Sequence, residues 1–345
     1  MIKVLVIDDS PLIRQLLTEV LNQAKDLTVV GCAEDPYQAR EMIKQLNPDV
    51  ITLDIEMPKM DGISFLKNLM RLRPMPVVMI STLTKKGSPI TLEALELGAV
   101  DFIAKPSVNV SQQFAQYTQL VQQKVRTAAS ARVRSFKVMQ EKPLDASAIT
   151  EFDIKAVLAI GASTGGTEAI KEVLLRMPKN CPPIVVTQHI PPVFSSSFAQ
   201  RMDRTCAINV KEAEHGDKLV AGLAYIAPGD KHLTVIKQGM NLYCQLDEST
   251  PVNRHRPAVD TLFNSLVNVC PKNTVAALLT GMGSDGAQGL LALRQHGAYT
   301  LAQDELTSVV WGMPKAAIEL NAATDVVPLD KVAHKLLLHA QKQRA

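Results

Sequence analysis

Apolar and polar positions follow two different periodicities along the first third of the chain. Short runs rich in valine and isoleucine, of the kind that form buried strands, are separated by stretches with helical periodicity. Because strands are separated by helices, the pattern predicts right-handed crossovers and a parallel sheet covered on both faces. The predicted strands in residues 1–106 are IKVLVI, LTVVG, DVITLD, PVVMIS and VDFIA.

The first predicted helix begins after the strand IKVLVI, at Ser10 and Pro11. Serine is a favoured capping residue, and proline suits the first turn of a helix. The pattern predicts that one face of this helix is apolar and buried. The residues expected on that face are Leu12, Ile13, Leu16, Leu17, Val20 and Leu21.

A second alternating series begins near Asp153, with the clearest strands in KAVLAI, PIVVTQ and TVAALLT. Helical patterns such as TEAIKEVLLRM and AVDTLFNSLVNV lie between them, and AYIAPGDKHLTVI with MNLYCQL predicts a small antiparallel insertion. A helix is also expected over residues 112–134, followed by a stretch with no sustained period. We therefore predict two α/β domains, residues 1–120 and 153–345, joined by a helix end and linker over residues 121–152.

Length and composition agree with a two-domain globular protein. The chain has 345 residues, 46% of them hydrophobic and 21% charged, and its net charge is only +3. The start MIKVLVIDD lacks the pattern of a signal peptide, and no apolar run is long enough to cross a membrane. These features predict a cytoplasmic protein without direct membrane insertion. The five scattered cysteines predict buried free thiols rather than a disulfide framework or a zinc site.

Polar side chains follow four of the predicted strands in the first domain. The carboxyl ends of parallel strands face a common crevice, so these groups are expected to converge. Carboxylates that converge repel one another unless a hard cation such as Mg²⁺ joins them, and a hydroxyl with a lysine would suit an added phosphoryl group. The alternative is that the acidic residues are ordinary helix caps. The residues concerned are Asp8, Asp9, Asp54, Ser81, Thr82 and Lys105.

This arrangement resembles the receiver domain of two-component response regulators over residues 1–120. The resemblance rests on DD after the first strand, LDIEMPKMDG around Asp54, a hydroxyl after the fourth strand, and KP at residues 105–106. It implies a flavodoxin-like fold with a five-stranded parallel sheet. It also implies that a histidine kinase donates a phosphoryl group to Asp54.

The same resemblance implies a role for each neighbouring residue. Asp9, Asp54 and the backbone carbonyl of Glu56 would hold Mg²⁺, with Asp8 in support through water; alternatively, Glu56 would send its carboxylate to the cation. Lys105 would contact the phosphoryl oxygens, and its bond to Pro106 would be cis. Two further residues are implied in the switch: Ser81, which would move toward the phosphoryl group, and Phe102, the switch aromatic.

In the second domain, the stretch VLAIGASTGG places Ser163 in a turn between an apolar strand and a helical pattern. Its GASTG fits G-x-S-x-G, the nucleophile elbow that exposes a serine hydroxyl. The stretch also partly matches a dinucleotide-binding loop, but Ser163 replaces the middle glycine that lets pyrophosphate approach. A serine nucleophile is therefore favoured over a cofactor site.

A serine nucleophile needs a base and a carboxylate that orients the base. His189 follows the strand PIVVTQ, and Asp285 follows an apolar strand in LLTGMGSDGAQG. Three complementary side chains would then meet at one edge of the sheet. The order Ser163, His189, Asp285 differs from the usual Ser, acid, His of α/β-hydrolases, which a late base such as His296 would restore.

The second half resembles the catalytic domain of bacterial chemotaxis protein-glutamate methylesterases over residues 153–340. The resemblance rests on AIGASTGG, QHIP, YIAPGDKHL, LLTGMGSDGA and VVWGMPKAA. It implies a doubly wound α/β domain in which Ser163, His189 and Asp285 demethylate glutamyl γ-methyl esters, and deamidate glutamines, on chemoreceptors. Backbone N–H groups near Thr164 and Met282 are candidates for the oxyanion hole, although Thr164 is also a candidate helix cap.

The architecture predicts that phosphorylation of Asp54 relieves inhibition of the catalytic domain, with no metal or organic cofactor in that domain. Two alternatives remain at this point. A DNA-binding output would need a compact helix-turn-helix with a basic recognition helix, which the long α/β output lacks, so no nucleic acid is expected. The hydrolase domain could instead act as a partner-binding scaffold or on another acyl substrate. We expect a monomer.

Overall fold

The computed structural model describes residues 1–81, 88–105, 114–133 and 151–341. It divides the chain into two compact units, Met1–Met139 and Gln140–Ala345, and each is considered by itself. Residues 134–150 of the predicted linker and the predicted cis bond to Pro106 lie outside the described residues, as does Thr82.

The first unit contains a five-stranded parallel sheet in the order β2-β1-β3-β4-β5. Its strands are β1 (Ile2–Ile7), β2 (Leu27–Ala33), β3 (Val50–Asp54), β4 (Val77–Ser81) and β5 (Asp101–Ala104). Its helices are α1 (Pro11–Asn22), α2 (Pro36–Leu46), α3 (Gly62–Leu72), α4 (Ser88–Glu96) and α5 (Phe114–Ala129).

Helix α1 differs from its prediction in two respects. Pro11 does occupy the first turn, but the Ser10 side chain makes no capping hydrogen bond, and its backbone N–H donates to Asp8 Oδ1 at 2.9 Å. Leu12 is 72% exposed, whereas Leu17 and Leu21 are buried. Leu12 and Leu21 are nine residues apart, about two and a half helical turns, and therefore lie on opposite sides of the helix.

The second unit contains a seven-stranded parallel sheet in the order β14-β13-β12-β6-β7-β9-β8. Its strands are β6 (Val157–Ala162), β7 (Ile184–Gln188), β8 (Asn209–Glu212), β9 (Leu223–Ile226), β12 (Thr274–Leu278), β13 (Tyr299–Gln303) and β14 (Asp325–Val327). Its helices are α6 (Gly166–Leu174), α7 (Pro192–Thr205), α8 (Val259–Val269), α9 (Ala287–Gln295), α10 (Met313–Glu319) and α11 (Leu329–His339), with a 3₁₀ turn at Pro271–Asn273.

The antiparallel insertion is smaller than predicted. Among the strands of the described residues, β10 (His232–Gln238) and β11 (Asn241–Asp247) alone pair in antiparallel fashion. The AYI segment belongs to β9, which pairs in parallel with β7 and β8. Ala224, Tyr225 and Ile226 are all buried, as expected for a strand of a sheet covered on both faces.

Strands β12, β6 and β7 are adjacent and central in the seven-stranded sheet. Gly161 in β6 aligns with Leu278 in β12 and with Thr187 in β7, so the three strands end at nearly the same level. Every residue of these three strands is buried. The segments that follow them therefore emerge side by side at one edge of a rigid core.

In the described part of the chain, no helix is both long and apolar enough to cross a membrane.

Candidate active site

Ser163 lies in a tight turn between β6 and α6. Its backbone N–H donates to Thr280 O at 3.0 Å, and its carbonyl accepts from Gly166 N–H at 2.7 Å. Gly165 is the N-cap residue of α6 and has a left-handed φ of 75°, which glycine adopts without strain. Gly165 rather than Thr164 therefore occupies the N-cap position, and the turn has the strand-turn-helix form of a nucleophile elbow.

Glycine is required where the neighbouring loop passes behind Ser163. A Cβ atom on Gly281 would lie 2.7 Å from Ser163 Cβ and 2.3 Å from Met313 Sδ. The two loops are joined by Thr280, whose Oγ1 donates to Thr164 O at 3.0 Å and accepts from Val310 N–H at 3.0 Å. This close approach fixes the serine turn against the segment that leads to Asp285.

The three side chains predicted from the strand ends form a continuous hydrogen-bonded line. Ser163 Oγ lies 3.1 Å from His189 Nδ1, and His189 Nε2 lies 2.8 Å from Asp285 Oδ2. The two ring nitrogens have exchanged the roles found in the serine protease template, where Nε2 faces the serine. For Nδ1 to accept the serine proton, the neutral imidazole must carry its own proton on Nε2, which Asp285 favours.

Asp285 is held as a carboxylate by several donors. It is 2% exposed, and it accepts hydrogen bonds from Val259 N–H at 2.6 Å, Asp260 N–H at 3.2 Å and Asn253 Nδ2 at 2.8 Å. Burial raises its pKa, but the hydrogen bonds and the charge of His189 outweigh burial and hold the pKa at about 2. Val259 is the first residue of α8, so the helix N-terminus also favours the negative charge.

The late histidine considered as an alternative base is elsewhere. His296 follows the last residue of α9 and is exposed, and its Nδ1 lies 2.8 Å from Ala292 O in the same helix. It is a helix-terminal residue, and the order Ser163, His189, Asp285 is the one that the fold brings together.

Sequence reasoning missed three residues next to the triad, two in the loop before α8 and one in the first turn of that helix. Asn253 contacts Asp285, Asp260 lies next to the triad carboxylate, and the ring of His255 stacks on His189. The loop follows β11 of the antiparallel pair rather than a strand of the parallel sheet, so the rule that identified the triad does not apply. The cluster of polar residues in VNRHRP just before a helical pattern was the available signal.

In the first unit, the predicted acidic residues do converge. Carboxylate oxygens of Asp8, Asp9 and Asp54 lie within 4.8 Å of one another, and Lys105 Nζ lies 2.7 Å from Asp54 Oδ2 and 3.2 Å from Asp8 Oδ2. Asp8 and Asp54 are buried, whereas Asp9 is exposed. Burial, together with the charge of Asp8, raises the pKa of Asp54 to about 6 despite the nearby Lys105.

The donors of this pocket fit a hard divalent cation such as Mg²⁺. All are carboxylate oxygens, and Asp8 Oδ2 is buried without a hydrogen bond, since its contact with Lys105 is an ion pair of poor hydrogen-bond geometry. Glu56 is exposed and its carboxylate is not part of the group, so the alternative in which that carboxylate reaches the cation is not supported. A cation here would neutralise charges that Lys105 only partly balances.

The two predicted switch residues lie on β4 and β5. Ser81 Oγ is buried and lies 2.9 Å from Thr91 Oγ1 in α4, and its carbonyl accepts from Lys105 N–H at 2.8 Å. Phe102 is buried, and Lys124 Nζ of α5 lies 5.2 Å from the centre of its ring. The hydroxyl and the aromatic ring are therefore each linked to a helix of the same unit.

Comparison with known proteins identifies the family of the chain. Residues 158–336 match the family described as CheB methylesterase, and residues 4–115 match the response regulator receiver domain. The chain belongs to the CheB methylesterase family. The family and the α/β fold class with its receiver domain, predicted from sequence motifs, are thereby confirmed, as is the enzyme class.

Related proteins are similar in sequence to this chain over nearly its whole length. The protein-glutamate methylesterase/protein-glutamine glutaminase of Nitrosomonas europaea is 52% identical over 97% of this chain and 96% of its own length. The corresponding protein of Saccharophagus degradans is 55% identical, with 99% of each chain covered. The crystal structure of the Thermotoga maritima CheB methylesterase catalytic domain superimposes with a TM-score of 0.52 at 42% identity, covering 53% of this chain and 97% of that one.

Proposed function

We propose that the chain is a phosphorylation-regulated serine hydrolase acting on chemoreceptors in chemotaxis adaptation. It converts glutamyl γ-methyl esters to glutamate, and glutamine side chains to glutamate. The observation that carries this proposal is the line Ser163–His189–Asp285, with spacings of 3.1 and 2.8 Å, in a member of the CheB methylesterase family. The proposal takes residues 153–345 as the catalytic domain and residues 1–120 as its receiver domain, joined by residues 121–152.

In the first half of the reaction, Ser163 Oγ attacks the ester carbonyl and His189 Nδ1 takes the serine proton. The imidazolium that forms keeps its Nε2 proton and donates a hydrogen bond from it to Asp285, whose ionised carboxylate stabilises the positive charge. Collapse of the tetrahedral intermediate breaks the bond to the methoxy group. The proton on Nδ1 passes to that group, so methanol leaves and a glutamyl-serine ester remains.

In the second half, water attacks the acyl-enzyme and gives its proton to His189 Nδ1. The serine recovers its proton as the acyl bond breaks, and the product is a glutamate side chain. With a glutamine substrate the same steps release ammonia. None of these steps draws on a metal or an organic cofactor.

Backbone N–H groups at Thr164 and Met282 are proposed to hold the oxyanion. Both residues adjoin Ser163, Thr164 directly in the elbow and Met282 after the glycine that packs against the serine. Each donor of this kind lowers the barrier by about 3 kcal/mol, because it is aligned with the charge before the charge develops. Glycines on both sides of the site allow a substrate to approach this backbone closely.

The receiver domain is proposed to take a phosphoryl group on Asp54 from a histidine kinase. Asp9, Asp54 and the Glu56 carbonyl would hold Mg²⁺, with Asp8 in support, and the cation would supply charge neutralisation at the phosphoryl oxygens. Lys105 Nζ, already 2.7 Å from Asp54, would contact the same oxygens. Movement of Ser81 toward them, with Phe102 following, would then relieve inhibition of the catalytic domain.

Methanol release from methylated receptor membranes tests the whole scheme. Wild-type protein and Ser163→Ala are compared with and without Mg²⁺ and a small phosphodonor. We expect release that depends on Ser163 and rises with the phosphodonor. Release that depends on Ser163 but not on the phosphodonor would support the esterase activity and contradict its regulation by phosphorylation. No release from folded protein would favour a scaffold or another acyl substrate. The proposal places the reaction in the cytoplasm, with a monomeric enzyme.

A further inference from the structure

One tight turn of the catalytic unit reaches the triad through two of its side chains. Val252 and His255 exchange backbone hydrogen bonds of 3.0 and 2.8 Å. Asn253 and Arg254 between them have positive φ angles of 53° and 67°. A turn with both central residues in the left-handed region is of type I′, which is short and defined in direction. The positions of the Asn253 and His255 side chains are therefore set by the backbone of the turn.

The Asn253 side chain lies between two buried carboxyl groups. Its Nδ2 donates to Asp285 Oδ1 and to Asp260 Oδ2, both at 2.8 Å. Asp260 also accepts from Gly289 N–H at 2.6 Å and is 7% exposed. Two carboxylates that lie on either side of one amide group repel each other. The Asn253 amide has two N–H groups, so it can donate one hydrogen bond to each carboxylate. The Asn253 amide thus fixes the distance between Asp260 and the triad aspartate.

The ring of His255 is parallel to the ring of the catalytic histidine. The centroids of His255 and His189 are 3.7 Å apart and the planes differ by 11°. The imidazole of His189 must lie in one plane with Ser163 Oγ and Asp285 Oδ2 for both of its hydrogen bonds to be straight. A flat ring packed on one face restricts rotation of the imidazole out of that plane.

The turn is braced at both ends. The His232 side chain is fully buried; its Nδ1 accepts from Ala258 N–H and its Nε2 donates to Thr250 O, each at 3.2 Å. Arg256 makes bonds of 2.7 and 2.9 Å to Asp230 Oδ1, and its guanidinium also donates to two carbonyl groups of the preceding loop. Two separate anchors therefore hold the segment that carries Asn253 and His255.

We propose that Asn253 and His255 are positioning residues of the methylesterase. The Asn253 amide aligns Asp285 by bridging it to Asp260, and the His255 ring holds His189 in the plane of proton transfer. The proposal deepens the function proposed above and rests on it. Neither residue exchanges a proton with substrate. Their effect is on the geometry of the groups that do, so it falls on the chemical step rather than on substrate binding.

The first test compares kcat and KM for methanol release from methylated receptor membranes. Asn253→Ala and His255→Ala are each expected to lower kcat about 10- to 100-fold, the cost of a misplacement of about 1 Å, with KM within about twofold of wild type. His255→Phe keeps a flat ring and is expected to recover most of the His255→Ala loss. Asn321→Ala is the matched control, because Asn321 is also left-handed, with a φ of 57°, and holds Arg294.

The pH profile supplies a readout that a structural role would not move. Asn253→Ala removes a neutral N–H donor to Asp285, so more of the carboxylate charge acts on His189 and its imidazolium form is stabilised. The acid limb of the kcat profile is therefore expected to shift to higher pH. Wild-type kcat and an unshifted profile in folded Asn253 variants, while Ser163→Ala abolishes release, would overturn this inference alone. Release that survives Ser163→Ala would overturn the proposed function first.

Discussion

Lys105 Nζ lies 2.7 Å from Oδ2 of Asp54, yet Asp54 is only 1% exposed and its carboxyl group is crowded by that of Asp8. The ammonium balances one of two buried carboxylates. The pocket therefore keeps an excess of negative charge that favours either a proton or a cation. The charge that makes the pocket suitable for the proposed phosphorylation therefore also affects the stability of the first unit.

Asp54→Asn is expected to stabilise the first unit at neutral pH. Burial and Asp8 raise the pKa of Asp54 from 3.8 to about 6, so the native state prefers the protonated form. That preference stabilises the wild type below pH 4 and is lost as the pH rises through 6. The loss is about 3 kcal/mol at about 1.4 kcal/mol per pH unit, and asparagine avoids it. Denaturant-dependent hydrogen exchange of β1 and β3 peptides in EDTA measures the difference at pH 4 and pH 8.

Asp61→Asn is the matched control for that experiment. Asp61 caps α3 by accepting from Ser64 N–H at 2.8 Å, and this hydrogen bond lowers its pKa. Asparagine also caps helices well, so no gain in stability at neutral pH is expected. An equal gain in both variants would show that net charge, rather than the crowding of Asp54, sets the stability.

Mg²⁺ is expected to raise the stability of the wild-type first unit and to do so more at pH 8 than at pH 5. The cation competes with protons for the same carboxylates, and protons have left Asp54 at the higher pH. Asp9→Ala removes an exposed carboxylate of the group and is expected to weaken the effect. Hydrogen exchange with Mg²⁺ or with EDTA measures it. A stabilisation that is unchanged by Asp9→Ala would show that the cation binds outside this cluster of carboxylates.

Asp285→Asn is expected to reduce kcat by about 10⁴, since asparagine favours the wrong tautomer of the catalytic histidine. Here asparagine would offer its N–H to His189 Nε2, so the imidazole would carry its proton on Nδ1, the atom that must accept the serine proton. KM is expected to change little. The rate of methanol release at a saturating concentration of methylated receptor membranes gives kcat. A loss of less than tenfold would show that Asp285 does not control the tautomer.

The same substitution is expected to destabilise the second unit in a pH-dependent way. His189 and the donors to Asp285 hold its pKa at about 2, below the ordinary 3.8, so the carboxylate contributes stability above pH 4 that is lost as the pH falls toward 2. The contribution is about 2 to 3 kcal/mol at about 1.4 kcal/mol per pH unit. Trp311, the only tryptophan of the chain, reports denaturant unfolding of this unit. A stability difference that stays constant between pH 7 and pH 2 would contradict the linkage.

The sequence predicted the triad because each of its members follows a strand, and parallel strands end at a common edge. It did not predict Asn253, since that residue lies in an irregular loop and meets Asp285 across 32 positions of the chain. The AYI segment had an ambiguous apolar pattern, and only its partners β7 and β8 assign it to the parallel sheet. Periodicity thus identifies elements and the ends of strands. Contacts made by loops depend on packing that no local pattern records.

Gly281→Ala is expected to lower kcat about 100-fold without unfolding the second unit. The added Cβ would lie 2.7 Å from Ser163 Cβ and 2.3 Å from Met313 Sδ. Met313 is flexible, but it is fully buried, so part of the displacement is passed to the serine and lengthens its hydrogen bond to His189. Gly283→Ala, two residues away, is the control: a Cβ there meets nothing within 4 Å, and its cost is backbone strain at a φ of 83°. Thermal unfolding and methanol release are measured for both variants. A greater loss of kcat in Gly283→Ala than in Gly281→Ala would show that the path of the loop, rather than its close approach to Ser163, limits the reaction.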